Sequence, residues 1–136
     1  MRSCNSTKSS YRLFKGIALM FVMTLMTIGS FATTYYSTAS GALNTLTNWK
    51  TARDGTGTSP ANFTTAGDVF IIQGTGYGGT SPHAMTLAST MTIGSATNNT
   101  KLEIENGASL TATSALTFGS VAIFLIDNGG TYNDGN

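Results

Sequence analysis

From residue 68 onward short apolar strands recur, most of them in the order apolar, polar, apolar: VFII at 69–72, MTL at 85–87, MTI at 91–93, LEI at 102–104, LTF at 116–118 and FLI at 124–126. An apolar, polar, apolar order is the period of a strand with one face turned inward. Gly, Ser, Asn and Thr fill the intervals, and these residues punctuate turns or favour extended backbone. No interval is long or periodic enough for a crossover helix. The pattern predicts an all-β chain and excludes doubly wound α/β folds. On the same alternation Leu102 and Ile104 point inward, while Glu103 and Glu105 point to solvent.

The strands also repeat. STMTIGS at 89–95 matches SALTFGS at 114–120, an offset of twenty-five, and LEIENGASL at 102–110 matches FLIDNGGTY at 124–132, an offset of twenty-two. VFIIQGTGY at 69–77 reads as an earlier partial copy. The three-residue difference falls in the connection containing ATNNT, where an insertion forms a surface loop. Repeats of this length predict a right-handed parallel β-solenoid (β-helix) of about three short coils, with equivalent residues stacked about 4.8 Å apart. Leu102 then lies on Phe124, Ile104 on Ile126 and Leu110 on Tyr132, with Met91 on Leu116 and Ile93 on Phe118. Asn106 over Asn128 makes an amide ladder at a turn, and Gly107 over Gly129 supplies a backbone that other residues adopt only at a cost. The rival is an antiparallel β-sandwich, whose strands recur at similar spacing but have no need of stacked like residues.

Residues 33–67 lack that regularity and read as an N-terminal cap of loops and short strands, with 68–136 the solenoid repeats. Ahead of them Arg2, Lys8, Arg12 and Lys15 precede the apolar run GIALMFVMTLMTIGSFA. A basic segment, an apolar segment and then small residues make a secretory signal peptide, here residues 1–32 with cleavage after Ala32. The strongly apolar part, Ile17 to Ile28, is shorter than the roughly 20 residues that a spanning helix needs. The mature chain therefore has no stable membrane span.

Export changes the charge. The whole chain carries +1, but the part after Ala32 sets three basic residues against six acidic ones, a formal charge of −3. That balance offers no basic patch for nucleic acid. The single cysteine, Cys4, leaves with the signal, so no disulfide staples the mature domain. Its Ser, Thr, Gly and Asn content fits disorder as well, but the regular apolar triplets argue for a fold.

The order TNWKTARDGTGTSPANF, GDVFII, HAMTL, MTIGS and LEIENGASL resembles the N-terminal β-helix-type repeat region of large secreted Bacteroidetes surface proteins. The resemblance covers residues 34–136. It implies a parallel β-helix on an adhesin-like or carbohydrate-associated protein of the cell surface, often exported by the type IX system. Proteins on that route carry a C-terminal sorting domain, whereas this sequence ends in TYNDGN just after a turn. The expectation is an N-terminal piece of a longer protein, or an open end that stacks on a partner.

Candidate chemistry is sparse. GTGYGG at 74–79 has the spacing of a dinucleotide loop, but TSPHAMTL leads into another strand instead of the helix that such a site requires. His83 is the only histidine and reads as a turn or surface residue without catalytic or zinc partners. Glu105, Asp127 and Asp134 are weak calcium candidates on one exposed side, or charges that keep a sheet face soluble. Trp49 and Tyr77, with Tyr35 and Tyr36, read as an end cap or as a glycan-stacking platform. No catalytic residue and no cofactor beyond calcium is indicated. The leading expectation is a non-catalytic extracellular structural or adhesive module whose partners are surface glycans or extracellular proteins. The alternative is an accessory, carbohydrate-binding part of a secreted polysaccharide-degrading enzyme.

Overall fold

A computed structural model describes residues 31–75 and 81–135, so the expected signal peptide, up to residue 30, and Tyr77 lie outside the described residues. The described residues are mostly strands with almost no helix: β1 (Thr34–Ser37), β2 (Gly41–Ala42), a 3-10 turn (Leu46–Asn48), β3 (Trp49–Lys50), β4 (Val69–Ile72), β5 (Ala84–Leu87), β6 (Met91–Ile93), β7 (Lys101–Ile104), β8 (Ser109–Ala112), β9 (Leu116–Phe118), β10 (Ile123–Ile126) and β11 (Thr131–Asp134). They form three sheets with the orders β10-β7-β4-β1-β3, β11-β8-β5-β2 and β6-β9.

One rule generates nearly all of the pairing. Each strand pairs in parallel with the strand three places further on: β1 with β4, β4 with β7, β7 with β10, β2 with β5, β5 with β8, β8 with β11 and β6 with β9. The exception is β3, which turns back to pair antiparallel with β1. The antiparallel pairing of a sandwich is thus confined to that one contact among the described residues.

The registers are those obtained by superposing the repeats. Leu102 pairs with Phe124 and Ile104 with Ile126, Leu110 with Tyr132, Met91 with Leu116 and Ile93 with Phe118. VFII joins the same columns, Phe70 against Leu102 and Ile72 against Ile104. The inserted residues sit where the repeat offsets locate them: the connection after β6 spans 94–100, and the equivalent one after β9 spans only 119–122. That longer loop rests on the β3–β4 connection through Gly94 N to Phe63 O, Asn98 Nδ2 to Thr64 O and Thr100 Oγ1 to Thr65 O.

Inward side chains of all three sheets meet in one apolar cluster that includes Leu43, Trp49, Phe70, Ile72, Met85, Leu87, Ile93, Leu102, Ile104 and Leu110. Two expectations need correction. The segment 33–67 is not only a cap, because β1 and β2 pair in parallel with β4 and β5 as full members of the two larger sheets. Ile126 shares a column with the buried Ile72 and Ile104 but is itself 42% exposed, because among the described residues no further strand covers β10.

Candidate functional site

The densest polar constellation lies where β1, β4 and β7 end and the chain turns toward the next sheet. Gln73 follows β4, Glu105 follows β7 and Asp127 follows β10, so the three occupy one column beyond the aligned Ile72, Ile104 and Ile126. Arg53 arrives from the β3–β4 connection. Its turn closes through Gly55 N to Ala52 O and Ala52 N to Thr56 O, while Asp54 Oδ1 accepts both the N–H and the hydroxyl of Thr56. Gly55 and Gly57 take the positive φ values that this tight reversal requires.

Arg53 staples two of the column's members. Its Nη1 donates to Glu105 Oε2 at 3.0 Å and to Gln73 Oε1 at 3.5 Å, and its Nη2 donates to Glu105 Oε1 at 2.5 Å. The guanidinium also lies 4.4 Å from the centroid of the Tyr36 ring, a cation–π contact. Gly74 N–H donates to Glu105 Oε2 at 3.0 Å. Both carboxylate oxygens are therefore held by protein donors in a bidentate, charge-assisted arrangement.

Glu105 is thus not the solvent-facing acid that strand alternation predicts: it is 3% exposed. Residue 105 lies just past the end of β7, where the pleat stops and the corner begins, so the parity shared with Glu103 no longer sets its direction. Burial raises the Glu105 pKa, and the hydrogen bonds from Arg53 and Gly74 with the Arg53 charge more than offset it, leaving the group below the usual carboxylate range. Glu103 does stay on the outer face, paired with Lys101 at 2.6 Å.

Ser37 and Gln73 extend the corner. In the later units the residue after the strand donates its N–H to the previous unit's carbonyl, Glu105 N to Ile72 O and Asp127 N to Ile104 O. At β1 a side chain takes that role: Gln73 N–H donates to Ser37 Oγ at 2.9 Å, and Gln73 Nε2 donates to Ser37 O at 2.6 Å and Arg53 O at 2.9 Å. Ser37 Oγ also lies 2.7 Å from His83 Nδ1. His83 is therefore a half-buried member of this network and not a lone surface residue; burial lowers its pKa, with contact to Ser37 opposing. A serine hydroxyl against an imidazole is also the contact that activates a hydrolytic nucleophile. Here Ser37 is 0% exposed and its oxygen already accepts Gln73 N–H, so the pair works as a joint between strands.

Glu105 and Asp127 are neighbours in one column, but the three calcium candidates do not converge. Glu105 is held by Arg53, Asp127 is half-buried one unit further on, and Asp134 is exposed on β11 in another sheet. Among the described residues no group of three or more His, Cys, Asp or Glu side chains could hold a metal ion.

The aromatic platform is dispersed as well. Trp49 is 0% exposed, donates Nε1–H to Leu43 O at 2.9 Å, and meets Phe63 and Phe70 edge-on at 6.3 and 5.4 Å. Its faces are closed to a sugar. Tyr35 stacks on Phe70 at 5.4 Å, while Tyr36, next in the same strand, turns to the other side under Arg53. The amide ladder expected of Asn106 and Asn128 does not form either. Asn106 instead lies over Gly129, in van der Waals overlap with the space a Cβ there would need, and the two turns join through Gly107 N to Gly129 O at 3.0 Å.

No family model matches the chain, and no curated protein or solved structure matches it. The functional reading therefore rests on its own geometry. Sequence reasoning missed Arg53, Ser37 and Gln73 as parts of the corner; the signal available was a lone basic residue in a Gly-rich turn, and nothing local names its partner 52 residues away.

The second notable surface is the far edge. Val121, Ile123, Leu125 and Ile126 are exposed at 39–51%, and the ring cluster beneath them, Phe118 on Phe124 at 5.1 Å and Phe124 against Tyr132 at 5.3 Å, is only partly covered. Among the described residues no helix is long and apolar enough to cross a membrane.

Proposed function

We propose that the chain is a non-catalytic extracellular structural or adhesive module, built as a right-handed parallel β-solenoid and carried out of the cell by its N-terminal signal. The observation that carries the reading is the pairing of each strand with the strand three places on, in the register of the sequence repeat. A three-strand turn that stacks on its own copy makes a stiff rod from a short repeat. Right-handedness follows from the general preference of crossovers between parallel strands in one sheet. The polar corner supports a structural role, since its most buried acid and its histidine are consumed in holding units together.

Export is supported by the basic and apolar order of the first residues. N-terminal sequencing of protein recovered outside the cell is expected to start close to Thr33; recovery of an intact Met1 would contradict the export step. Incubation of the purified protein with a panel of polysaccharides is expected to release no products, with retention on immobilised glycans or extracellular proteins marking an adhesive role and no retention a spacer. Release of oligosaccharides from any member of the panel would overturn the reading.

A further inference from the structure

We propose that Asn128 is a site of spontaneous covalent modification, losing its side-chain amide to form aspartate and isoaspartate, while Asn106 in the equivalent turn is protected. This goes beyond the structural reading above and does not depend on it. Both asparagines precede glycine, and both glycines take positive φ, 84° at Gly107 and 90° at Gly129. Each follows an acid, Glu105 or Asp127, and each is exposed. As sequence the two turns are near equivalents.

The chemistry needs the backbone nitrogen of the following residue. Once its proton passes to hydroxide, that nitrogen attacks Cγ of the asparagine and forms a five-membered succinimide as the C–N bond to the side-chain amide breaks. The departing group takes up a proton and leaves as ammonia. Water then adds to one of the two ring carbonyls and opens the ring, to aspartate or to isoaspartate. The sum is one amide plus water giving one carboxyl group plus ammonia, with no oxidant or enzyme required. Glycine at the attacking position gives the nitrogen free approach, and a hydrogen bond on its N–H both holds that proton and fixes the peptide plane.

The structure treats the two turns differently. At the inner turn Gly107 N–H donates to Gly129 O at 3.0 Å, and the Asn106 carbonyl accepts from Thr75 N at 2.8 Å and Thr75 Oγ1 at 3.1 Å. The Asn106 side chain is also pressed over Gly129. Its peptide is held on both sides and its side chain is restrained. At the outer turn, among the described residues, Gly129 N–H, the Asn128 carbonyl and the Asn128 side chain make no hydrogen bond. The turn is closed only by Gly130 N to Asp127 O at 2.8 Å. Modification there places a second carboxyl group beside Asp127 at the exposed edge, and isoaspartate lengthens the main chain by one methylene.

Incubating the full chain at mildly alkaline pH, followed by peptide mass spectrometry with separation of isoaspartyl peptides, tests this. Asn128 is expected to convert roughly three to ten times faster than Asn106, the factor corresponding to one or more backbone hydrogen bonds. In concentrated urea the two rates are expected to converge. Asn128→Gln is expected to remove the fast site and leave the slow one unchanged. Equal rates in the folded protein, faster loss at Asn106, or a ratio that persists unchanged in urea would each overturn the proposal.

Discussion

The two edges of the sheets are built from the same kind of strand and finished in opposite ways. At one edge β3 reverses direction, and Trp49, Leu43 and Phe70 are all 0% exposed. At the other, β10 and β11 end the two larger sheets among the described residues, and the residues that continue the same inward columns are partly uncovered. Ile72 and Ile104 are at 0% exposure and Ile126 at 42%; Leu102 is buried and Phe124 only half so; Leu110 is buried and Tyr132 half so. Strand alternation decides which way a side chain points, but burial requires a neighbouring unit on both sides.

The largest test removes the closure of the covered edge. Trp49→Ala is expected to lower stability by about 3–5 kcal/mol, the range for emptying a packed aromatic site, while Phe124→Ala in the open column costs about 1–2 kcal/mol because much of its surface is already wet. Equilibrium urea unfolding of the two variants reads the difference, and equal losses would mean that the open edge is covered in solution.

The corner column gives a second, smaller contrast. Arg53→Met leaves the Glu105 carboxylate buried without its charge partner and is expected to cost about 3 kcal/mol. Asp127→Asn, one unit on and half-buried, is expected to stay within about 0.5 kcal/mol. If both substitutions prove mild, the bidentate pair does not survive in solution. Arg53→Lys keeps the charge but not the fork, and is expected to recover only part of the loss.

The smallest effect is on pH dependence. The folded pKa of His83 is lowered from 6.5, so the unfolded chain takes up a proton first as pH falls, and stability declines in the window just below that value. Glu105 is lowered from 4.5, so its contribution is present above that pH and is lost as pH falls through the folded pKa. Both groups act in the same direction on acidification. Urea midpoints across this range are expected to fall in two stages, with His83→Gln removing the upper one and Glu105→Gln the lower.

Much of the fold was legible because the sequence repeats. LEIENGASL and FLIDNGGTY carry the same order of inward residues, turn asparagine and glycine, and like residues align when parallel strands pair. The strands β1 and β2 were hidden for the complementary reason: TYYS and GA resemble no later unit, although they pair with β4 and β5. The corner was illegible because it is made of contacts between residues 46 and 52 positions apart. Glu105 was misread as exposed since strand parity was carried one residue past the end of β7.

The sequence by itself therefore determined the all-β class, the positions of the regular strands, the register of the repeated ones and the site of the three-residue insertion. Each of these follows from local period and from likeness between neighbouring units, information that the chain carries in order. Only the tertiary structure decided that Arg53 meets Glu105, that Ser37 and His83 join, that Trp49 is sealed, and that two near-identical Asn-Gly turns differ in their hydrogen bonds. Those outcomes depend on what lies one unit away in space, and the electrostatic and burial terms that govern them act through distance, not through position along the chain.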